Sequence, residues 1–216
     1  MYKRQVLEAL NIKIDLEPSD IEKEINSNNF GFMFAPNYHS ALRFVGSVRK
    51  KIGKRTIFNM FGPLSNPALV DRQVVGVFDK KLINIFAEGL KNLNIKFAWI
   101  VNSEDGLDEI SPYAKTNVMQ LKNGEISEIT IDPKLLNINA EKFENLVGDD
   151  SKYYAYKMME IFKGKDNDFS KAVCLNAAAG LIVNEKFSEF SDAYNHSREF
   201  ILSGKPYLHL EKLQNV

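Results

Sequence analysis

The sequence of 216 residues contains one cysteine and no excess of either charge. The single cysteine, Cys174, excludes an intramolecular disulfide and suits a reducing compartment, so we expect a cytoplasmic protein. Lysine plus arginine and aspartate plus glutamate each number 28, which leaves a formal net charge of zero. An overall basic field of the kind that favours nucleic-acid binding is therefore excluded, although a local basic patch is not.

Long apolar runs are also missing. The sequence has no run of about 18 apolar residues that would predict a membrane span. Its beginning lacks the charged region and the following apolar stretch of a signal peptide. Hydrophobic residues make up 44% of the chain, which is enough for one sizeable core, or for one domain plus part of another.

The first residues do not look native. Residues 1–5 lead straight into a helical pattern at residues 6–10, with no capping residue and no entry turn. We expect homologous sequence to begin near Val6. Residues 6–216 are then expected to form one α/β domain that is incomplete at its N-terminal side.

The first third of the chain combines helix and loop signals. A capping-box pattern at Ser19–Glu22, directly after a proline, predicts the start of a helix. The apolar run at residues 30–34 suits a strand or a buried connection. Asn37 is a candidate cap for a helix that ends near residue 53. Two prolines and a glycine within residues 62–67 predict a loop.

The central part of the chain predicts a β-α-β unit. Residues 73–78 and 97–101 are predicted strands, and the second is apolar throughout, so it should be covered on both faces. Asp79 is a candidate cap for the helix between them. A right-handed crossover would place the loop after Val101 at the carboxyl edge of a parallel sheet, where ligands of open α/β sheets bind. The helix is expected to turn five apolar residues inward, namely Leu82, Ile83, Phe86, Leu90 and Leu93.

The remaining pattern predicts a hairpin and then helices. Residues 116–121 and 125–131 flank an Asn-Gly pair, which is the strongest short-range hairpin signal. We therefore predict an α/β fold in which a mostly parallel sheet is flanked by helices and carries a β-hairpin. The later helices are expected near residues 151–163, 169–184, 189–203 and 205–214.

Two concentrations of charge stand out. Arg43–Arg55 holds six cations and no acid, and Glu104–Glu109 holds four acids in six residues. Taken alone, basic residues on a helix are usually a solvated face, and acids after a strand usually solvate a loop. Together, they suit a reaction that releases pyrophosphate and takes up an aromatic acid.

Each part of that reaction has a candidate residue. Asp108 and Glu109 are adjacent carboxylates, and magnesium binds one or two carboxylates together with water and substrate phosphate. An arginine matches the carboxylate of an acceptor, because its planar guanidinium forms paired hydrogen bonds. Pro63 or Pro36 could form a flat apolar wall for the aromatic ring.

The segment from Phe32 to Ala68, FMFAPNYHSALRFVGSVRKKIGKRTIFNMFGPLSNPA, resembles the signature of the anthranilate phosphoribosyltransferase family. In that family the segment runs roughly FxFAPxxHPAxxxxxxVRxxLGxRTxFNxxGPLxNPA. The resemblance continues through the loop Asp105–Ser111 (DGLDEIS) and the segment Leu175–Leu181 (LNAAAGL). It therefore covers nearly everything after residue 6.

This resemblance implies a fold and a reaction. The fold would be a partial large domain of the nucleoside phosphorylase and class IV phosphoribosyltransferase type, in glycosyltransferase family 3. The reaction would be the magnesium-dependent transfer of the phosphoribosyl group from phosphoribosyl pyrophosphate (PRPP) to the amine of anthranilate, in tryptophan biosynthesis. Its products would be N-phosphoribosylanthranilate and pyrophosphate. No nucleic-acid or membrane partner is implied, and the full-length parent is expected to be a homodimer.

The resemblance also implies roles by position. Arg49 corresponds to the arginine that binds anthranilate, and His39 and Pro63 correspond to positions that line the anthranilate channel. His39 is equally consistent with a structural histidine. Asp108 and Glu109 correspond to the acidic pair that binds magnesium with the pyrophosphate. Family members work largely by positioning and electrostatics, so no catalytic side chain is predicted.

Several family elements are absent from the 216 residues. The glycine-rich GTGGD loop and the KHGN segment, which supply most pyrophosphate contacts in relatives, do not occur in the sequence. The family's HPA motif reads His39-Ser40-Ala41, and Leu146–Asp150 lacks the second glycine and the later asparagine of the pattern LxGGDxxEN. We therefore expect the chain alone to be inactive.

Three other interpretations stay open. A non-catalytic relative of the same fold would bind nucleic acid through the cations of Arg43–Arg55. A pyrimidine nucleoside phosphorylase would share the fold, although the string RTIFNMFGPLSNP argues against it. The chain could also be a truncated gene product without a function of its own.

Overall fold

Two units divide the chain in the computed structural model, which describes residues 3–38, 51 and 61–215. The first unit comprises Met1–Pro67, Asp149–Tyr156 and Leu208–Val216. The second comprises Ala68–Gly148 and Lys157–Tyr207. Within the described ranges, no helix is long and apolar enough to cross a membrane.

The first unit is helical over most of its described part. Its helices include α1 (Lys3–Ala9), α2 (Pro18–Asn28) and the single turns α3 (Ala35–Tyr38) and α4 (Phe61–Leu64). The Gln214 side-chain amide donates to the Leu10 carbonyl at 2.7 Å, which joins the C-terminal region to the turn that follows α1. The core of the unit is aliphatic and contains Val6, Leu10, Ile12, Ile14, Ile21, Leu210 and Leu213.

The start of α2 differs from the prediction. The helix begins at Pro18 with Glu17 as its N-cap and without a side-chain cap, so the capping box at Ser19–Glu22 does not start it. A proline is favoured at this position because its φ is preset for the helix and its missing N–H would have had no helical partner.

One other prediction for this unit is corrected, because Phe61–Leu64 is a helical turn although the sequence predicts a loop there. Of the two alternatives for residues 30–34, a strand or a connection, the structure has the connection. Apart from residue 51, the part of the predicted helix beyond Tyr38 lies outside the described residues.

The second unit contains a four-stranded sheet in the order β1-β2-β3-β4. Its strands are β1 (Arg72–Gly76), β2 (Phe97–Ser103), β3 (Thr116–Lys122) and β4 (Glu125–Ile131). β1 and β2 are parallel, whereas β2 with β3 and β3 with β4 are antiparallel. The predicted α/β class is confirmed, but the described sheet is mixed and not mostly parallel. Antiparallel pairing follows because the short connections after β2 and β3 reverse the chain without a crossover helix.

Both faces of β2 are covered, as predicted from its apolar sequence. All seven of its residues are buried. Phe97, Trp99 and Val101 join the main core, which includes residues of the later helix α7 (Asp168–Val183). The alternate residues of β2 point to the opposite face, which α5 (Leu82–Asn92) covers.

Helix α5 turns a narrower face to the sheet than predicted. Ile83, Phe86 and Leu90 are buried as expected. Leu82 is only half-buried, and Leu93 is 52% exposed because it follows the end of the helix as its C-cap.

The hairpin and the later helices match the sequence prediction closely. Asn123 and Gly124 both have positive φ, at 51° and 84°, as a two-residue hairpin turn requires. The strand β4 lies at an edge of the described sheet, with β3 as its one neighbour there. The later helices are α6 (Ser151–Phe162), α7 (Asp168–Val183), α8 (Phe190–Leu202) and α9 (Lys205–Gln214), with two 3-10 turns at Pro133–Leu136 and Phe143–Leu146.

Residues 104–109, which we call the acidic loop, leave the carboxyl end of β2 and pass beside the end of β1. A Cβ added to Gly76 would lie 1.7 Å from the Asp108 carbonyl oxygen. Real Cβ atoms essentially never approach another atom so closely, so only glycine permits this crossing. The missing side chain of Gly76 therefore sets where the acidic loop lies against the sheet.

A buried carboxylate ties the segment after the acidic loop to α7. Asp168 is 4% exposed and accepts hydrogen bonds from the Tyr113 hydroxyl at 3.0 Å and the Glu141 backbone N–H at 3.0 Å. It also accepts from the Asn145 amide and the Lys171 ammonium, each at 2.9 Å. Burial alone raises the pKa of Asp168, but the hydrogen bonds from Lys171, Asn145, Glu141 and Tyr113 outweigh it and lower the pKa to about 2.

We expect Gly76→Ala to destabilise the second unit by about 1–3 kcal/mol, because the new methyl group must displace the Asp108 backbone. Urea unfolding would measure the change. Gly180→Ala is the matched control, since no atom lies within 4 Å of the added Cβ and α7 should gain up to about 1 kcal/mol from alanine. Equal stability of the Gly76→Ala variant and the wild type would show that the Asp108 backbone does not pass this close to residue 76.

We expect Asp168 to make the free energy of unfolding depend on pH below about 4. Its pKa is about 2 in the folded state and 3.8 ordinarily, so it stabilises the fold above pH 4 and loses that effect as the pH falls towards 2. The contribution is about 2 kcal/mol.

Urea unfolding between pH 7 and pH 2.5 would test this. Asp168→Asn should be less stable at pH 7 by about 2–4 kcal/mol, because its NH₂ group would face other donors, and should lack the slope below pH 4. Asp192→Asn, which removes an exposed carboxylate from α8, should keep the wild-type slope. A wild-type slope in the Asp168→Asn variant would refute the assignment.

Candidate active site

The acidic loop carries four carboxylates, and the structure separates their roles. Asp105 is used within the loop. Its Oδ1 accepts from the Leu107 N–H at 3.2 Å, and its Oδ2 accepts from the Ser111 hydroxyl at 2.5 Å. Gly106 has a φ of 92° and donates its N–H to the Ser103 carbonyl at 3.0 Å. Asp105 therefore shapes the turn.

Two further bonds close the loop, one at its entry and one at its exit. The Ser103 N–H donates to the Leu107 carbonyl at 2.9 Å. The Ser111 N–H donates at 3.2 Å to the hydroxyl of Thr116, which is the first residue of β3. Both residues are fully buried. The loop is thus held at its entry by β2 and at its exit by β3.

Asn176 of α7 contacts Ile110, which lies between the acidic pair and Ser111. The Asn176 Oδ1 accepts from the Ile110 N–H at 2.9 Å, and its Nδ2 donates to the Ile110 carbonyl at 3.0 Å. The Ile110 side chain is fully buried in the main core. Residue 110 is therefore fixed through both its backbone and its side chain.

Asp108 and Glu109 lie next to this fixed point, and both are exposed. Among the residues that the structure describes, no side chain is hydrogen-bonded to or paired with the Asp108 carboxylate. Two adjacent, solvent-facing carboxylates on a held loop fit magnesium, which prefers hard oxygen ligands and keeps several waters or phosphate oxygens.

The pair does not form a complete metal site by itself. Within the described parts of the chain, no group of three or more His, Cys, Asp or Glu side chains could hold a metal ion. Magnesium commonly takes only one or two carboxylates and completes its shell with water and substrate phosphate.

Of the other predicted site residues, the structure describes Pro63. Pro63 is half-buried in α4, in the first unit, whereas Asp108 and Glu109 belong to the second. His39 and Arg49 lie outside the described residues. Asp108 and Glu109 are neighbours in the sequence and therefore share one loop, and both their binding of metal and the grouping of the anthranilate residues stay predictions.

Two cavities of the second unit lie away from the acidic loop. One, of about 110 Å³, is lined by Lys80, Asn84 and Asn117 beside α5. The other, of about 350 Å³, is lined by Trp99, Leu135 and other residues next to the hairpin. Neither of these two cavities is lined by a residue of the acidic loop.

Sequence reasoning missed three residues that build this site: Gly76, Asp105 as distinct from its acidic neighbours, and Asn176. Two features of the sequence could have indicated Gly76 and Asn176. A glycine inside a strand pattern often marks close approach of another backbone. An asparagine in the middle of an apolar helix is unfavourable for the helix, which indicates a tertiary contact.

Comparisons with known proteins show the family of the chain. The family described as glycosyl transferase family, a/b domain, matches residues 4–207. A protein from Pelagibacter ubique (strain HTCC1062) named anthranilate phosphoribosyltransferase is 76% identical over 211 residues, which cover 98% of this chain and 64% of that protein. The chain therefore spans less than two thirds of the length of this curated relative.

Solved structures show the same fold. The anthranilate phosphoribosyltransferase from Thermus thermophilus superposes with a TM-score of 0.88 at 31% identity, over 97% of this chain and 62% of that one. The Saccharomyces cerevisiae enzyme in complex with PRPP and Mg superposes with a TM-score of 0.89 at 23% identity, over 99% of this chain and 62% of that one. The predicted phosphoribosyltransferase and nucleoside phosphorylase type of fold is confirmed. With the family match extending over nearly its whole length, the chain belongs to the glycosyl transferase family that this α/β domain defines.

Proposed function

We propose that the full-length protein containing this chain is an anthranilate phosphoribosyltransferase. The observation that carries the proposal is the pair of adjacent, exposed carboxylates, Asp108 and Glu109, on a held loop at the carboxyl edge of the sheet. The relative with 76% identity that bears this name supports it. The substrates would be PRPP and anthranilate, and the products would be N-phosphoribosylanthranilate and pyrophosphate.

In the proposed reaction, the bond between ribose C1 and the pyrophosphate oxygen breaks, and its electron pair leaves with the pyrophosphate. The lone pair of the anthranilate nitrogen forms the new bond to C1, and the nitrogen then gives up one proton to water. Asp108 and Glu109 would hold Mg²⁺ by their carboxylate oxygens. When bound, the ion would neutralise the charge that develops on the pyrophosphate.

The acceptor side of the site is assigned by position. Arg49 would bind the anthranilate carboxylate through its planar guanidinium, and His39 and Pro63 would line the channel for the ring. No side-chain base is required, because the aniline nitrogen is weakly basic and is already nucleophilic at neutral pH.

The other histidines give no reason to add a base. His196 lies in α8 with its ring 5.1 Å from the Phe187 ring, which is a packing contact. His209 lies in α9. Catalysis would then rest on proximity and on electrostatic stabilisation of the leaving group.

The biological setting follows from the proposed reaction. The enzyme would act in tryptophan biosynthesis in the cytoplasm, with small molecules as its ligands and without nucleic-acid or membrane partners. The full-length protein would be a homodimer. Sedimentation of the full-length protein would test the last point.

In the full-length protein, we expect Asp108→Asn and Glu109→Gln each to lower kcat/KM for PRPP by about 100-fold or more, because the metal would lose an anionic ligand. Initial rates at varied PRPP and Mg²⁺ would measure this. Glu104→Gln is the matched control, since it removes one charge from an exposed side chain of the same loop and should change the rate by less than about threefold. Equal losses in all three variants would instead point to the net charge of the loop.

We expect the 216-residue chain alone to show no turnover. It lacks the GTGGD and KHGN elements to which most pyrophosphate contacts are attributed, and it spans 64% of its relative. The same assay on the full-length protein is the positive control. Turnover of both substrates by the chain at the rate of the full-length protein would contradict this expectation.

The nucleic-acid-binding alternative makes a different prediction. It requires the cations of Arg43–Arg55 to bind phosphates, so the affinity for single-stranded DNA would fall steeply with salt. Salt-dependent DNA binding by a full-length protein without transferase activity would favour that alternative over the proposed enzyme.

A further inference from the structure

We propose that Asn176 is the residue that positions the metal-binding carboxylates, by holding both peptide groups of Ile110 against α7. The inference rests on the proposed function, because it concerns the same Asp108–Glu109 pair. It adds a residue to the site that makes no contact with substrate or metal itself.

The hydrogen bonds of Asn176 use both ends of its side-chain amide. Its Oδ1 accepts from the Ile110 N–H at 2.9 Å. Its Nδ2 donates to the Ile110 carbonyl at 3.0 Å and to the Ala172 carbonyl, one helical turn earlier, at 2.9 Å. Only one orientation of the amide satisfies these three partners, since the two carbonyls need the NH₂ group and the N–H needs the oxygen.

These bonds act on the residue that follows the metal pair. The N–H that Asn176 holds belongs to the peptide plane joining Glu109 to Ile110, and the carbonyl belongs to the next plane. Because each peptide is rigid, fixing both planes fixes the direction in which the backbone leaves Glu109. On the other side of the pair, Gly76 limits where the Asp108 backbone lies. The two carboxylates therefore project from a short segment that is held on both sides.

Helix α7 provides a rigid base for this contact. The neighbours Leu175, Ala178 and Ala179 are fully buried in the main core, and the buried Asp168 anchors the first turn of the helix. An asparagine inside a helix costs stability relative to alanine, so its presence at position 176 indicates a role beyond the helix.

Neither aspartate nor alanine at position 176 reproduces the three bonds. Aspartate has the same shape but would place a carboxylate oxygen against two carbonyl oxygens, with no hydrogen to donate. Alanine would leave the Ile110 N–H and carbonyl without these partners. Either change should loosen the Glu109–Ile110 peptide while leaving the metal ligands themselves intact.

The test uses the full-length protein that contains this chain, with Mn²⁺ as the probe and inorganic pyrophosphate as the second ligand. Titration followed by electron paramagnetic resonance gives the Mn²⁺ dissociation constant. Broadening of backbone amide signals near residues 108–110 in NMR spectra gives the location. Changes to residues that orient metal ligands typically weaken metal binding by about 10–100-fold, so we expect at least a tenfold loss in Asn176→Asp and Asn176→Ala.

Ser197→Ala is the matched control for a loss of stability. Its buried hydroxyl donates to the Ala193 carbonyl in α8 at 2.8 Å, so its removal costs a helix-side hydrogen bond away from the acidic loop. It should leave the Mn²⁺ affinity within about twofold of the wild type. A loss in Ser197→Ala equal to that in the Asn176 variants would overturn the inference, because general destabilisation would then explain it.

Asp108→Asn separates this inference from the proposed function. If Asp108→Asn abolishes Mn²⁺ binding while Asn176→Asp keeps the wild-type affinity and broadening, the metal pair stands and the role of Asn176 is refuted. If Asp108→Asn also leaves binding unchanged, the proposed metal site fails, and the inference fails with it.

Hydrogen exchange of the wild-type protein tests the inference even if the Asn176 variants do not fold. Hydrogen exchange of the Ile110 amide should be as slow as that of the β2 amides, because both would open only with the core. Exchange as fast as that of the exposed residues of the acidic loop would show that Asn176 does not hold the peptide, which refutes the inference.

Discussion

The backbone of Asp108 passes so close to the last residue of β1 that a side chain at position 76 would have no room. Three features depend on this crossing. It brings the acidic loop to the carboxyl ends of the parallel pair, it places Ile110 where the core can bury it, and it leaves the Asp108 and Glu109 side chains facing outward. The position of the proposed chemistry therefore follows from packing between backbones, and not from attraction between charges.

Similar carboxylates serve different purposes in this small region. Asp105 accepts hydrogen bonds within its own loop, and Asp168 gathers donors from three separate segments in a buried setting. Asp108 is exposed, and no described side chain is paired with its carboxylate. Residue type alone does not distinguish these cases. The environment does, because buried carboxylates need several donors whereas a magnesium ligand must keep its oxygens available to the ion.

Much of the second unit could be predicted from the sequence, because the signals there are local. The apolar run of β2, the Asn-Gly turn and the periodicity of the later helices each depend on neighbouring residues, and the helix bounds differ from prediction by only a residue or two. The pairing direction of β3 and the roles of Gly76 and Asn176 depend on residues far apart in sequence, so no local pattern could fix them. Resemblance and charge indicated the acidic pair, whereas the contacts of Gly76 and Asn176 that hold it are apparent only from the fold.

The strand β4 at the sheet's edge has a consequence for how the chain behaves in solution. Its exposed positions carry Glu125, Ser127, Glu128 and Thr130, so an approaching second strand would meet like charges and polar groups. Charged side chains at such positions oppose the edge-to-edge pairing that begins aggregation. At this edge of the described sheet, these side chains therefore favour dispersed molecules over fibrils.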